Sequence, residues 1–116
     1  MSIHWVMSYY ILQEKAAEFL EFMKSDRVKE LNAELEKETG IKYVDTYMPA
    51  LGFGEYDCED WFVAPDWAAF DKLRTSKAFG TINVEVSQFL DERRPWGSRA
   101  LRSVQDVQPF KPPEEE

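Results

Sequence analysis

The single histidine of the chain, His4, is the residue best suited to moving protons near neutral pH. An imidazole changes charge between about pH 5 and 8, so His4 could act as a general base toward an acidic carbon or a phenol. The residue alternates with Val6 and Tyr10 along an apolar segment, and no catalytic motif surrounds it. A hydrogen-bonded histidine at an interface is therefore the competing interpretation.

The chain is rich in tyrosine and tryptophan, whose flat rings and polar tips commonly line pockets for small organic molecules. A protein core and a subunit interface require the same side chains, so both roles stay open. The residues with this double interpretation are Tyr9, Tyr10, Tyr43, Tyr47, Trp61, Trp67 and Trp96.

Acidic residues crowd one short segment of the chain. Glu55, Asp57 and Glu59 would share one face of a strand, and Asp60 follows them. Carboxylates suit calcium, magnesium or manganese. Side chains along one strand project in parallel and do not converge, and no histidine or loop signature accompanies them. We therefore predict a solvated acidic edge that discourages aggregation, and no metal site.

Four arginines form the one basic cluster: Arg93, Arg94, Arg99 and Arg102. The cluster could hold a carboxylate or a phosphate, or it could compensate a helix C-terminus and pair with the acidic segment. Cys58 has no base beside it in the sequence and is predicted to be a small core residue. The Walker, Rossmann, nucleophile-elbow and zinc-spacing patterns are absent from the sequence.

Composition narrows the function classes further. The 116 residues suit one domain, and the hydrophobic and charged fractions, 44% and 31%, are those of a globular chain. A net charge of −8 disfavours binding to nucleic acid or to an anionic membrane. One cysteine cannot form an internal disulfide, no segment resembles a signal peptide, and no apolar run reaches the ~20 residues that span a bilayer. A cytoplasmic location is expected.

These candidate residues need a scaffold, and the apolar patterns predict an α+β domain. Strands are predicted over residues 3–12, 41–51, 55–63 and 98–107, and helices over 13–39 and from Pro65 or Asp66 to 90. Ser25 and Asp26 can divide the first helical segment, so one helix or two stays open, and Gly80 can bend the second. The order matches a ferredoxin-like βαββαβ sandwich with a four-stranded antiparallel sheet.

The first strand is apolar on both faces, which is unusual for a small antiparallel sheet. The chain's own helices can cover one face. A partner subunit is the simplest cover for the other, so we predict a homodimer.

The segment 66–79 carries a family resemblance. Its pattern of Trp67, Phe70, Leu73, Ser76 and Phe79 resembles a helix of dimeric α/β-barrel proteins, especially the antibiotic biosynthesis monooxygenase-like (ABM-like) group. The strand and helix order over residues 3–107 is also similar. The resemblance implies that two sheets pack face to face into a shared barrel and that each subunit has a cavity between sheet and helices. The domain is therefore predicted to span residues 1–107, followed by a flexible acidic tail, 108–116.

The haem-degrading branch of that group differs at three positions. The resemblance would place a haem-ligating histidine where this chain has Asn83, a tryptophan where it has Leu73, and an asparagine where it has Ser8 or Tyr9. All three expected residues are absent. Haem degradation is thus disfavoured, and no cofactor is predicted.

The resemblance implies a homodimeric protein that binds a small apolar or aromatic ligand. As an enzyme it would be a cofactor-independent monooxygenase, or a related enzyme, acting on an aromatic or conjugated substrate. His4 is the predicted base, and Tyr9, Trp67 and Asn83 are the predicted pocket residues. The alternative is a non-catalytic dimerisation or ligand-carrier module, distinguished by whether an apolar cavity remains after packing. A weaker alternative is a haem binder.

Overall fold

The computed structural model describes residues 2–50 and 54–107. Four strands form one antiparallel sheet in the order β2-β3-β1-β4: β1 (Ile3–Tyr9), β2 (Lys42–Tyr47), β3 (Cys58–Ala64) and β4 (Gly97–Arg102). The helices are α1 (Ala16–Met23), α2 (Asp26–Thr39), α3 (Ala68–Lys72) and α4 (Lys77–Ser87). The predicted ferredoxin-like α+β sandwich with a four-stranded antiparallel sheet is confirmed.

The first helical segment is two helices. The Ser25 backbone is extended, and its side chain accepts a hydrogen bond from the Val28 amide, so Ser25 caps the start of α2. Gly40, with a φ of 82°, ends α2 in the left-handed conformation that glycine adopts without strain.

The second helical segment breaks at a different place from the one predicted. A 3₁₀ turn at Leu73–Thr75 follows α3, and α4 begins after Ser76, whose extended backbone interrupts the helix. Gly80 lies inside α4, which continues through it to Ser87. Local capping by Ser76 therefore outweighs the conformational freedom of glycine here.

Three strands end earlier than predicted. β1 stops at Tyr9 because the next residues bond the end of the second helical segment: the Leu12 amide donates to the Phe89 carbonyl, and the Asp91 amide donates to that of Tyr10. β4 stops at Arg102, where Ser103 caps a 3₁₀ turn. β2 ends at Tyr47, before Pro49. The predicted turn at Gly52 and the tail, 108–116, lie outside the described residues.

β3 begins at Cys58, three residues after its predicted start. Glu55 and Asp57 therefore lie outside the strand, and the Asp57 carboxylate accepts a hydrogen bond from the Ile11 amide. The predicted acidic row along one strand face is wrong. Glu59 and Asp60 remain in the strand and, as neighbours, point to opposite faces of the sheet.

The two faces of the sheet have different surroundings. The helices cover the inner face, where Trp5 and Phe62 pack with Leu35 and Ile41 in one buried cluster. A second buried cluster joins Tyr9, Ile11, Phe19, Cys58 and Phe89. The outer face carries His4, Val6, Ser8, Tyr47, Glu59, Trp61, Val63, Arg99 and Leu101, as the strand registers show.

β2 contains a bulge. Tyr43 pairs with Phe62, but the next pair along β2 is Asp45 with Trp61, so Val44 is an extra residue in this strand. Beyond the bulge, Thr46 pairs with Asp60. The bulge thereby determines which residue of β2 lies beside Asp60.

No helix of the described residues is long and apolar enough to cross a bilayer.

Candidate functional site

A cavity of about 440 Å³ lies between the inner face of the sheet and the helices. It separates the two buried clusters, since Trp5 and Phe62 come from one and Tyr9 from the other. This volume falls within the range of small-molecule sites. The apolar lining consists of Trp5, Met7, Leu35, Phe62, Leu73, Phe79, Ile82, Val86 and Leu90.

A few polar side chains interrupt the apolar wall. Tyr9 comes from β1, Asp60 from β3 and Asn83 from α4. Ser98 lies in β4, and Trp96 lies just before that strand. Among the described lining residues, Asp60 is the one that carries a charge at neutral pH. Any chemistry that needs a charged group in this cavity therefore depends on Asp60.

Asp60 is held by two hydroxyl groups. The Tyr9 hydroxyl donates to its Oδ1 over 2.8 Å, and the Thr46 hydroxyl donates to the same oxygen over 2.7 Å. Neither donor bonds the second oxygen, Oδ2. Within residues 2–50 and 54–107, no buried side-chain oxygen lacks a hydrogen-bond partner. Oδ2 is therefore not buried, and because Asp60 lines the cavity we infer that Oδ2 faces the cavity space.

The surroundings of Asp60 change its acidity. Removal of the carboxylate from water raises the pKa of Asp60 from 3.8 to about 6, and the two donated hydrogen bonds limit that rise. The carboxylate is therefore ionised at pH 7 but lies close to the point at which it takes up a proton. A general base works well when its pKa is near the working pH.

The neighbouring hydroxyls stay protonated. Burial raises the pKa of Tyr9, and the charge of Asp60 raises it further. Burial also raises the pKa of Tyr43 to about 12 and that of Cys58 to about 12. These groups are donors or inert neighbours at neutral pH. The predicted role of Cys58 as a small buried residue agrees with its complete burial.

The structure brings two of the four predicted site residues together. Tyr9 and Asn83 line the cavity. Trp67 does not: it is 55% exposed, and its ring packs on Phe70 with 5.7 Å between ring centroids. His4 lies on the outer face, because odd-numbered residues of β1 face the helices and even-numbered ones do not.

Asp60 is the functional candidate that sequence reasoning missed. Its place among four acidic residues favours a solvated edge, but it alternates with Cys58, Phe62 and Ala64 on the buried face of β3. A carboxylate on an otherwise apolar strand face is the pattern that could have identified it.

The arginine cluster forms ion pairs with acidic residues. Arg93 and Arg94 both bind the buried Asp91, at 3.0 and 3.1 Å. Arg99 pairs with Glu59 on the outer face at 3.2 Å. Ion pairing is thus confirmed for Arg93, Arg94 and Arg99, and the pairs with the acidic segment are Arg94 with Asp57 and Arg99 with Glu59. Across the part of the chain that the structure describes, no group of three histidine, cysteine or acidic residues could hold a metal ion.

No protein-family profile and no curated protein matches the sequence, but solved structures match the fold. A protein from Nitrosomonas europaea, proposed to be an antibiotic biosynthesis monooxygenase, aligns with a TM-score of 0.60 at 12% identity, over 90% of this chain and 99% of that chain. SnoaB from Streptomyces nogalater, described as a cofactor-independent oxygenase, aligns with a TM-score of 0.58 at 12% identity, over 91% and 96%.

A third match comes from Bacteroides fragilis and is described as a dimeric protein of unknown function with a ferredoxin-like fold. It aligns with a TM-score of 0.63 at 8% identity, over 88% of this chain and 96% of that chain. At these identities the comparisons show the fold alone. The chain thus has the fold that the resemblance implied, a fold that it shares with the protein from Nitrosomonas europaea and with SnoaB.

Proposed function

We propose that the protein binds a small, flat, largely apolar organic molecule in the cavity and that Oδ2 of Asp60 accepts a proton from it. The observation that carries this proposal is one free carboxylate oxygen in an aromatic-lined space. The low polarity of the lining strengthens any hydrogen bond that Oδ2 makes to a ligand. A phenol, an enol or an acidic C–H group would offer the proton.

The reaction class that we propose is oxygenation by dioxygen. Asp60 removes a proton from an activated CH₂ group, and the resulting carbanion gives its electrons to dioxygen, forming a C–O bond. The peroxide takes back the proton, a second C–H proton leaves, and the O–O bond breaks. The products are a ketone and water, so the CH₂ carbon is oxidised and dioxygen is reduced.

The other polar groups of the cavity can stabilise the developing negative charge. Trp5 Nε1 donates to Ser98 Oγ over 2.9 Å, which leaves the Ser98 hydroxyl hydrogen for a ligand. The Asn83 amide and the Trp96 indole offer two further donors. The oxygenase activity described for SnoaB, which has the same fold, supports the proposal.

We also propose that the protein is a homodimer that joins its outer sheet faces. On this face Tyr47 and Leu101 are exposed and Trp61 and Val63 are half-buried, although all four are apolar or aromatic. Packing against a second sheet would cover them. The structure from Bacteroides fragilis with the same fold is described as dimeric, which supports a dimer.

Turnover of an aromatic compound that carries an activated CH₂ group, followed by oxygen consumption, tests the role of Asp60. We expect kcat/KM to rise with pH to a plateau, with a midpoint near the pKa of Asp60, about 6. Asp60→Asn should lower kcat/KM by roughly 10² to 10⁴-fold, the usual contribution of a general base. Glu59→Gln is the matched control, because Glu59 is the neighbouring carboxylate on the opposite face of β3.

His4→Ala separates the two candidate bases. The sequence-based hypothesis predicts loss of turnover, and the position of His4 on the outer face predicts that turnover is retained. Full activity of Asp60→Asn would contradict the proposal. If native mass spectra show a small molecule bound to the protein and that molecule causes no oxygen consumption, the protein is instead a ligand carrier.

A further inference from the structure

The free oxygen of Asp60 depends on what holds the other oxygen. Tyr9 and Thr46 donate to the same atom, Oδ1, from strands on either side of Asp60. Two donors on one oxygen fix the plane of the carboxylate and stabilise its ionised form. The second oxygen is left without a donor and faces the cavity.

The direction of this network follows from counting hydrogens. Thr46 has one hydroxyl hydrogen, and it is directed to Asp60. Tyr43 lies 2.6 Å from the Thr46 hydroxyl, so Tyr43 must donate and Thr46 accept in that pair. A chain of hydroxyls therefore runs from Tyr43 through Thr46 to Oδ1, and each bond polarises the next.

We infer that Thr46 and Tyr9 are positioning residues that hold Oδ1 of Asp60 and thereby assign Oδ2 as the proton-accepting atom of the cavity. This inference rests on the proposed function for the role of Asp60 as a base. The arrangement of the four side chains is independent of any substrate.

The bulge in β2 is what brings Thr46 to this position. The pairs before the bulge are Lys42 with Val63 and Tyr43 with Phe62. Had β2 continued in that register, Asp45 and not Thr46 would have faced Asp60. Two carboxylates directly opposite each other would repel, whereas a hydroxyl donates a hydrogen bond. Bulges commonly redirect a side chain beside a functional site in this way.

The groups that face Asp60 are neutral at physiological pH. Tyr9 approaches it from β1, Tyr43 stands behind Thr46 on β2, and Cys58 precedes it on the same face of β3. The nearest wall of α4 offers Phe79 and Asn83, which do not titrate. The two donated hydrogen bonds are therefore the main favourable interactions of the ionised carboxylate.

The test is a pH titration of the Asp60 carboxyl carbon by NMR in full-length, ligand-free protein containing ¹³C-aspartate. Asp60→Asn identifies the resonance by its loss. We expect Thr46→Val and Tyr9→Phe each to raise the titration midpoint by about one pH unit, because each removes a hydrogen bond to the charged form. Thr46→Ser should restore the wild-type midpoint. Thr75→Val, an exposed threonine on the 3₁₀ turn after α3, is the matched control.

Unchanged midpoints in both folded variants would overturn the inference, even if Asp60→Asn abolished turnover. If the two variants shift the Asp60 titration midpoint as expected but the wild-type protein turns over no substrate, the positioning role is supported and the proposed function is not. Thr46 lies on a sheet edge strand and is half-buried, so Thr46→Val keeps the test available if Tyr9→Phe does not fold.

Discussion

At the scale of single residues, the raised pKa of Asp60 suits a general base but destabilises the folded protein at neutral pH. A carboxylate that is harder to ionise in the folded protein than in the unfolded chain opposes folding at neutral pH. The unfolded and folded pKa values are 3.8 and about 6. Below pH 3.8 the carboxyl group is protonated in both the folded and the unfolded state, and the destabilisation vanishes. Above about pH 6 it is ionised in both states, and the folded state is destabilised in full. Functional sites are commonly places where stability is sacrificed in this way.

Asp60→Asn should therefore stabilise the protein at neutral pH. The amide oxygen can still accept from Tyr9 and Thr46, and no charge is then buried. We expect a gain of roughly 2 kcal/mol in the free energy of unfolding at pH 7.5, shrinking toward zero near pH 4. Urea unfolding at the two pH values measures it, with Glu59→Gln as the control. An equal effect at both pH values would contradict the assigned pKa.

At the scale of elements, the position of α4 depends on a bond to α2. The Ser76 hydroxyl accepts from the Phe79 amide over 3.0 Å and donates to Glu38 over 2.5 Å. That bond from Ser76 is the main reason that the pKa of Glu38 lies below its usual value. Because α4 supplies Phe79 and Asn83 to the cavity, this cap also sets the shape of the site.

Ser76→Ala should remove the cap and the bond to Glu38. We expect a loss of about 1–2 kcal/mol in unfolding free energy, measured by urea denaturation followed by circular dichroism. Ser87→Ala is the matched control, since Ser87 is an exposed serine at the opposite end of α4. A change within ±0.5 kcal/mol is expected there, as for most surface substitutions. Equal effects of the two substitutions would show that the cap does not stabilise α4.

How much the sequence can predict also depends on the element. Alternating apolar residues located all four strands, and the order of elements predicted the fold. The alternation predicts ends that are too late in β1, β2 and β4. In β1 the reason is that bonds such as Leu12 to Phe89 join residues far apart in sequence. Tyr9 and Asn83, two of the predicted pocket residues, lie at the cavity, and their role there stays a prediction. The partnership of Asp60 with Thr46 was not predictable, because it depends on a bulge that leaves no mark in the alternation of β2.

At the scale of the whole molecule, the outer sheet face is the surface that the chain's own helices leave uncovered. His4 pairs there with Val63 and Leu101 on the neighbouring strands. An interface between two such faces would enclose His4, in agreement with the interpretation of this histidine as an interface residue. The cavity lies on the opposite side of the sheet, so each subunit would keep its own site.

Leu101→Lys should shift the protein from dimer to monomer in sedimentation velocity experiments. Two lysines buried between facing sheets would lose hydration without gaining partners. The matched control is Leu20→Lys in α1: Leu20 is 37% exposed and Leu101 is 36% exposed, but only Leu101 lies on the sheet. A wild-type monomer, or dissociation by both variants, would argue against the proposed interface.

The bulge gives β2 two possible frames against β3. In the observed frame the extra residue is Val44 and Thr46 faces Asp60; with the extra residue placed after Thr46, Asp45 would face Asp60 instead. Both frames use the same chain, but the observed frame gains the Thr46 hydrogen bond and avoids the charge repulsion between Asp45 and Asp60. Acid removes that repulsion, so folding at low pH should be less selective between the frames than folding at neutral pH. Asp45 and Asp60 are not paired in the native protein, but their repulsion thus disfavours the alternative register of β2 during folding.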